Sequence, residues 1–301
     1  MGQQSAHILQ LIPEWSGTAA VISALEGGIT NQNYRVDIGQ ESFVLRVGGK
    51  HTHLLGIERE RERLCTTIAA HSGIGPEVVA CRAAAGAEVL VTRFIAGTTL
   101  SAERASSPAL LPRIVAAIKR YHDGAAFPGS FSPFVTVQNY HRLALERGVA
   151  LPATLPHALH LLAQIAAATG PQQQLRPCHN DLLAGNFIDE GHTLRIVDWE
   201  YAGMGDLFFD LGNFAANQAL DEEQCALLLR LYFGQARPAQ HAHLHLMRLA
   251  SDLRESLWGF LQLGISELTF DYREYAHRHL QRFLHSTEDA RFAQWLQAVQ
   301  V

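Results

Sequence analysis

The chain has 301 residues, 48% of them hydrophobic and 18% charged, with a formal net charge of −5. Such a chain is long enough for about two globular domains, and its composition excludes the disordered and fibrous classes. The acidic balance offers no footprint for nucleic acid, and no apolar run reaches the roughly 18 residues of a membrane span. The N-terminus shows no basic segment leading into an apolar one, so no signal peptide is expected. Cys65, Cys81, Cys178 and Cys225 lack C-x-x-C spacing and read as reduced thiols of a cytoplasmic protein, with Cys178 a small apolar filler.

In chain order, residues 1–96 read as a β-rich lobe around one helix. An apolar run leads into Gly27-Gly28-Ile29-Thr30-Asn31-Gln32-Asn33. Paired glycines let backbone approach a ligand closely, and Thr30 and Asn31 can bond a phosphate or their own loop. A plain hairpin turn fits that segment equally well. Residues 34–38 and 42–47 read as strands joined at Gly39-Gln40, and Arg46 sits on the second among alternating apolar residues. Residues 57–70 form a helix with Ile57, Leu64 and Ile68 on a shared face. Two further strands, 77–81 and 88–94, are split by an Ala/Gly turn.

Beyond Ala96-Gly97 the pattern changes, and residues 97–301 read as a mainly helical lobe. Its helices are expected at 110–122, 135–146, 156–169, 207–219, 222–233, 239–263, 272–284 and 287–298, while 101–112 shows no clear pattern. His241, His243 and His245 alternate inside one of these helices, which points them to different faces and argues against a shared metal.

Only 175–200 interrupts the helices, and it carries the chemistry. His179-Asn180-Asp181 with Asn186 five residues on fits H-x-D-x-x-x-x-N, a phosphoryl-transfer catalytic loop, which marks His179 and Asp181 as catalytic. The runs at 187–188 and 194–197 flank the turn signal Asp189-Glu190-Gly191-His192 and read as a hairpin. Asn186 then stands at one end and Asp198 at the other, two hard oxygen donors for one magnesium ion. A turn cap or a solvated carboxylate would explain each residue alone, but not their joint spacing. Phosphoryl transfer also needs a cation near the α- and β-phosphates, paired with a glutamate from the next helix. Arg46 is placed for it, and the partner is Glu58, Glu60 or Glu62.

Together these motifs resemble the choline/ethanolamine kinases of the aminoglycoside-phosphotransferase superfamily. The likeness spans Gly-Gly-Ile-Thr-Asn at 27–31, Phe-Val-Leu-Arg-Val at 43–47, the 179–186 loop, Asp-Trp-Glu-Tyr at 198–201 and Asp210-Leu-Gly-Asn213. It continues in 258–266 and 270–276, and so covers nearly the whole chain. It implies an α+β, protein-kinase-like bilobal fold, with a small antiparallel β lobe, a larger helical lobe, and ATP with Mg2+ as cofactors. On the nucleotide side it implies Gly28, Thr30 and Asn31 in the phosphate loop, and Arg46 in the place usually held by lysine. Glu62 is its preferred partner through R-x-x-E with Arg59, and Arg93, Phe94 and Ile95 form the hinge that offers backbone groups to adenine. Asp210 braces the catalytic loop.

On the acceptor side the resemblance implies a small amino alcohol, choline or ethanolamine, held by Trp258 and Tyr275 with Tyr201 beside the metal motif. Glu200 or Glu255 would supply negative charge. Each cation–π contact contributes about 0.5–2 kcal/mol. Thiamine or an aminoglycoside is the alternative acceptor. After Asn213 the chain continues Phe214-Ala-Ala-Asn-Gln, where choline kinases carry a carboxylate and further aromatics. A catalytically silent nucleotide-binding module is disfavoured because Asp181, Asn186 and Asp198 are all kept.

Overall fold

Strands β1 (Ala20–Leu25), β2 (Gln32–Ile38), β3 (Glu41–Val47), β4 (Val78–Ala84) and β5 (Ala87–Arg93) form one antiparallel sheet in the order β1-β2-β3-β5-β4. The computed structural model describes residues 8–25, 31–84, 87–170 and 174–300. Side chains alternate across the sheet, as a period of two requires. Phe43, Leu45, Val89 and Val91 pack on one face with Ile8, Leu11, Ile12 and Trp15. Val44, Arg46, Leu90 and Thr92 line the cleft on the other. Arg46 therefore reaches the cleft by parity on β3. Apolar alternation does not reveal β1, an edge strand whose Val21 is 69% exposed.

Helix α1 (Arg59–His71) lies between sheet and larger lobe. Its buried face is Glu62, Cys65, Thr66 and Ala69, which corrects the expected face of Ile57, Leu64 and Ile68. Ile57 precedes the helix, and Leu64 and Ile68 are half-buried. Apolar periodicity misreads this helix because one buried position is a glutamate facing Arg46 on strand β3.

The chain then passes through Gly97, where an added Cβ would stand 2.7 Å from the Asp189 carbonyl oxygen, so only glycine fits. Strand β6 (Thr98–Thr99) and helices α2 (Ala102–Ser106), α3 (Leu111–His122), α4 (Pro133–Glu146) and α5 (Leu155–Thr169) follow. Strands β7 (Arg176–Cys178), β8 (Phe187–Asp189) and β9 (Leu194–Ile196) occupy the expected interruption, and β10 (Gly203–Gly205) lies just past it. The hairpin β8–β9 pairs Phe187 with Ile196 and Asp189 with Leu194, as its turn signal predicts.

Helices α6 (Leu207–Asn217), α7 (Glu222–Phe233), α8 (Pro238–Ile265), α9 (Tyr272–Thr287) and α10 (Phe292–Ala298) complete the larger lobe. The last begins later than expected because α9 runs on to Thr287. Helix α8 is central: every residue from 249 to 262 is buried. Helix α6 crosses it at Gly212, where a Cβ would meet the Arg248 backbone nitrogen at 2.8 Å. His243 bonds Asp206 at 2.8 Å while His245 stacks on Trp295, so the two histidines serve different neighbours. No helix among the described residues is long and apolar enough to cross a membrane.

Candidate active site

The 179–186 loop is built on helix α6. Asp210, fully buried, accepts the backbone N–H of His179 at 2.8 Å and of Asn180 at 2.6 Å, the Tyr121 hydroxyl at 2.6 Å, and lies 3.0 Å from His122 Nε2. Asn213 accepts the Leu182 N–H at 2.6 Å, and Gln218 donates to the Leu182 carbonyl at 2.9 Å. With its backbone groups satisfied this way, the loop tolerates Asn180 at φ 66°. Asp198, past the hairpin, is also left-handed at φ 69°. Non-glycine residues in that region persist where surroundings over-determine them, commonly at functional sites.

His179 requires a correction. It is buried, its Nδ1 accepts the Asp181 N–H at 3.2 Å, and its Nε2 lies 3.0 Å from the Val197 carbonyl oxygen. Both ring nitrogens are occupied, the ring packs 4.6 Å from Trp199, and burial lowers its pKa. His179 is therefore a neutral spacer between the loop and the hairpin, not a group that reaches a reactant.

Asp181 is partly open, its side chain 15% exposed. Its Oδ1 accepts Nη2 of Arg254 at 3.0 Å. Burial raises its pKa, opposed by Arg254 and reinforced by Glu255 and Asp198. Glu255 is paired with Arg254 and accepts the Tyr275 hydroxyl at 2.7 Å. Burial pushes its carboxyl up, but Arg254 and His279 outweigh that and leave its pKa low. Tyr275 stands 5.6 Å from Trp258, near-perpendicular, and the Arg254 guanidinium lies 5.1 Å from the Tyr201 ring. The structure thus brings Asp181, Glu255, Tyr201, Trp258 and Tyr275 together. Trp258 is 5% exposed and belongs to the apolar core, so only part of it borders this cradle.

Arg254 was not legible as a site residue. Nothing local in the sequence sets Arg254 apart, whereas burial around the whole of α8 places it inside with Glu255.

On the nucleotide side, Arg46 pairs with both Glu62 and Asp198. Of the three glutamates considered, Glu62 is the one turned to the cleft. Glu58 and Glu60 instead pair with Arg61 and Arg63 on the exposed face. A cleft of about 580 Å³ is lined by Arg46, Thr92, Ile95, Asn186 and Asp198. Ile95 borders it, but the Arg93 side chain turns to the opposite face, over the Phe43 ring at 4.9 Å and onto Glu41. Arg93 can offer this cleft only backbone, and the Phe94 N–H is already given to the Ser42 carbonyl at 2.9 Å.

Two further placements refine the sequence reading. The Asn31 amide is buried: it donates to Glu200 at 2.9 Å and accepts from Arg59 at 2.9 Å and from the Gly49 N–H at 3.3 Å. Its bond to Glu200 fastens its loop to the larger lobe. Glu200 also accepts Arg59 at 3.1 Å and lies 4.0 Å from Arg46. It therefore stands in the arginine network between the lobes, away from the Trp258–Tyr275 cradle. Burial and the Asp198 charge raise its pKa, against Arg46 and Arg59. Gly28 and Thr30 lie outside the described residues.

Asn186 gives its amide N–H to the Asp181 carbonyl at 2.9 Å, which leaves its side-chain oxygen as the unspent donor beside the cleft that Asp198 also lines. The Val197 N–H on the Asn186 carbonyl, at 2.9 Å, ties the two ends of the hairpin together. An amide oxygen and a carboxylate suit a hard divalent cation such as magnesium.

Comparison with known proteins gives the class first. Residues 21–244 match the phosphotransferase enzyme family. A choline/ethanolamine kinase family protein from Mesorhizobium loti superposes with a TM-score of 0.83 at 32% identity, over 99% of each chain. Human ethanolamine kinase 2 is 29% identical over 302 residues, 89% of this chain and 76% of its own. LicA in complex with AMP shares the fold, with a TM-score of 0.72 at 21% identity over 91% of this chain and 93% of its own. The chain belongs to the choline/ethanolamine kinase family within these phosphotransferases, as its motifs implied.

Proposed function

We propose that this chain transfers the γ-phosphoryl group of ATP to the hydroxyl of a small amino alcohol, of the choline or ethanolamine type, in the cleft between residues 1–96 and 97–301. The observation that carries this reading is Asp181, held by a braced loop between an aromatic–carboxylate cradle and the cleft lined by Arg46, Asn186 and Asp198. Asp181 orients the acceptor hydroxyl and takes its proton as the new O–P bond forms and the bond from the γ-phosphorus to the bridging oxygen breaks, releasing ADP. Burial raises the Asp181 pKa to about 7, where a carboxyl can take a proton, and Arg254 beside it opposes that rise in favour of the ionised form.

Arg46, kept in place by Glu62, meets the phosphates, and Ile95 borders the adenine end. The AMP held by the LicA neighbour supports a nucleotide in this fold's cleft. Asn186 and Asp198 would hold magnesium, which supplies positive charge against the phosphate oxygens. Trp258 and Tyr275 receive the acceptor's ammonium on their ring faces. The free cysteines accord with a cytoplasmic location.

The deciding experiment is an ADP-release screen of purified protein with Mg2+ and ATP across choline, ethanolamine, thiamine, sugars and aminoglycosides. Turnover with amino alcohols is expected. Turnover with another acceptor and none of these would overturn the acceptor class and leave phosphoryl transfer standing.

A further inference from the structure

One row of side chains crosses four strands on the cleft side of the sheet. Leu25 of β1 stands opposite Asn33 of β2, Asn33 opposite Arg46 of β3, and Arg46 opposite Leu90 of β5. All four line the cleft of about 580 Å³. Their strand neighbours Tyr34, Leu45, Val89 and Val91 turn to the core on the other face. Directly opposed residues hold their Cβ atoms about 4.5–5.5 Å apart, so Asn33 and Arg46 are immediate neighbours.

Within that row Asn33 is the residue the fold does not explain. Asparagine is depleted in strands, because its short amide packs poorly there and competes for backbone bonds. Leu25 and Leu90 supply apolar wall, and Arg46 is held by Glu62 and Asp198. The Asn33 side chain is half-buried and has no hydrogen-bond partner among the described residues. By contrast, the Asn31 amide gives one bond to Glu200 and takes bonds from Arg59 and Gly49. Asn33 thus brings two amide N–H donors and one carbonyl oxygen to the cleft wall with no structural use for them.

Its neighbour sets what those donors fit. Arg46 is the cation that meets the phosphates in the reading above, and Asn33 stands beside it in the same row. The adenine end at Ile95 lies beyond the next row, Val44 opposite Thr92, which is itself roughly 7 Å further along the strands. A phosphate oxygen, not a base edge, is therefore within reach of the amide. Hydrogen bonds to charged oxygens are the stronger kind.

We infer that Asn33 is a further donor-binding residue, giving its amide N–H to a non-bridging oxygen of the α- or β-phosphate that Arg46 also meets. The inference rests on the phosphotransfer reading above and adds a neutral ligand beside its cation.

Asn33→Val and Asn33→Ala remove the amide, and valine suits a strand better than asparagine. Calorimetry on the full chain gives affinities for ADP and for adenosine, which share base and ribose and differ by the phosphates. Both variants are expected to lose about tenfold or more in ADP affinity and to bind adenosine within about twofold of the wild type. Asn33→Val should also melt at or above the wild-type temperature, the opposite of what losing a structural amide would do. ADP affinity within about twofold of wild type in either folded variant would overturn the inference. An equal loss for adenosine would do so too, and so would failure of both variants to fold, because the amide would then serve the base or the fold. A wild type that binds no ADP would instead defeat the donor reading of the cleft, and the inference with it.

Discussion

Asp210 and Asn180, 30 residues apart, meet through a 2.6 Å bond from the Asn180 N–H to Asp210 Oδ1, and that bond closes a residue held at φ 66°. The other oxygen takes the His179 N–H and the Tyr121 hydroxyl. An asparagine at 210 keeps the shape but turns one oxygen into an NH2 facing these donors. Asp210→Asn is therefore expected to lose about 3 kcal/mol or more of stability. Urea denaturation measures it, and a loss under about 0.5 kcal/mol, the range of ordinary surface changes, would remove the bracing role.

The same carboxylate makes the fold acid-sensitive. Burial pushes the Asp210 pKa up, but the hydrogen bond and charge of His122 and the Tyr121 hydroxyl outweigh it and leave the pKa below its ordinary value. A carboxyl depressed on folding contributes stability fully above its unfolded pKa of about 3.9, and loses it as the pH falls through the folded value. Wild-type stability should therefore fall below about pH 4 more steeply than that of Asp210→Asn. Parallel curves for the two proteins across that window would show that Asp210 is not the linked group.

Much of this was legible from short-range pattern. Residues 43–47 alternate cleanly, which fixes both the β3 pairing and the side on which Arg46 emerges. The turn at 189–192 sets the hairpin that carries Asn186 and Asp198. What failed was the choice of partner for a charged residue. Nothing local tells Glu200 from Glu255, yet one bonds Arg59 and Asn31 across the lobes and the other bonds Arg254 and Tyr275 within the larger lobe. Nor does spacing reveal that His179 is boxed in by Val197, or that Arg254 is inside. These are long-range contacts, made only once α8 is surrounded.

Glu200 gives a test of that distinction. If it is a lobe-coupling carboxylate, Glu200→Gln weakens bonds to Arg59 and Asn31 and leaves Arg59 short of a counter-charge. A stability loss of about 2–3 kcal/mol is expected. The acceptor KM should stay within about twofold, since the cradle does not include it. A large rise in acceptor KM with unchanged melting temperature would return Glu200 to the acceptor site.

Arg46 divides itself between Glu62 and Asp198. Removing the Glu62 charge frees the guanidinium to swing onto Asp198 and compete with magnesium there. Glu62→Gln should raise the KM for ATP about tenfold and leave acceptor KM little changed. Arg46→Met should raise it too, and the double variant should fall well short of the product of the two effects, because both act through one guanidinium. Simple multiplication of the single effects would refute the shared route.

Asp181 and Asp198 border the same reaction but should fail differently. Asp181→Ala removes the proton acceptor and the group that aligns the hydroxyl, and touches neither Arg46 nor the cleft lining. ADP formation should fall by about 100-fold or more, within the range for a positioned general base, while ATP affinity is kept. Asp198→Ala removes a cleft carboxylate that Arg46 also bonds, so nucleotide binding should weaken and lose much of its magnesium dependence. Calorimetric titration of each variant with ATP, with and without Mg2+, separates the two. Magnesium-dependent affinity intact in Asp198→Ala would place the ion elsewhere, and near-normal turnover in Asp181→Ala would leave the acceptor proton to another group.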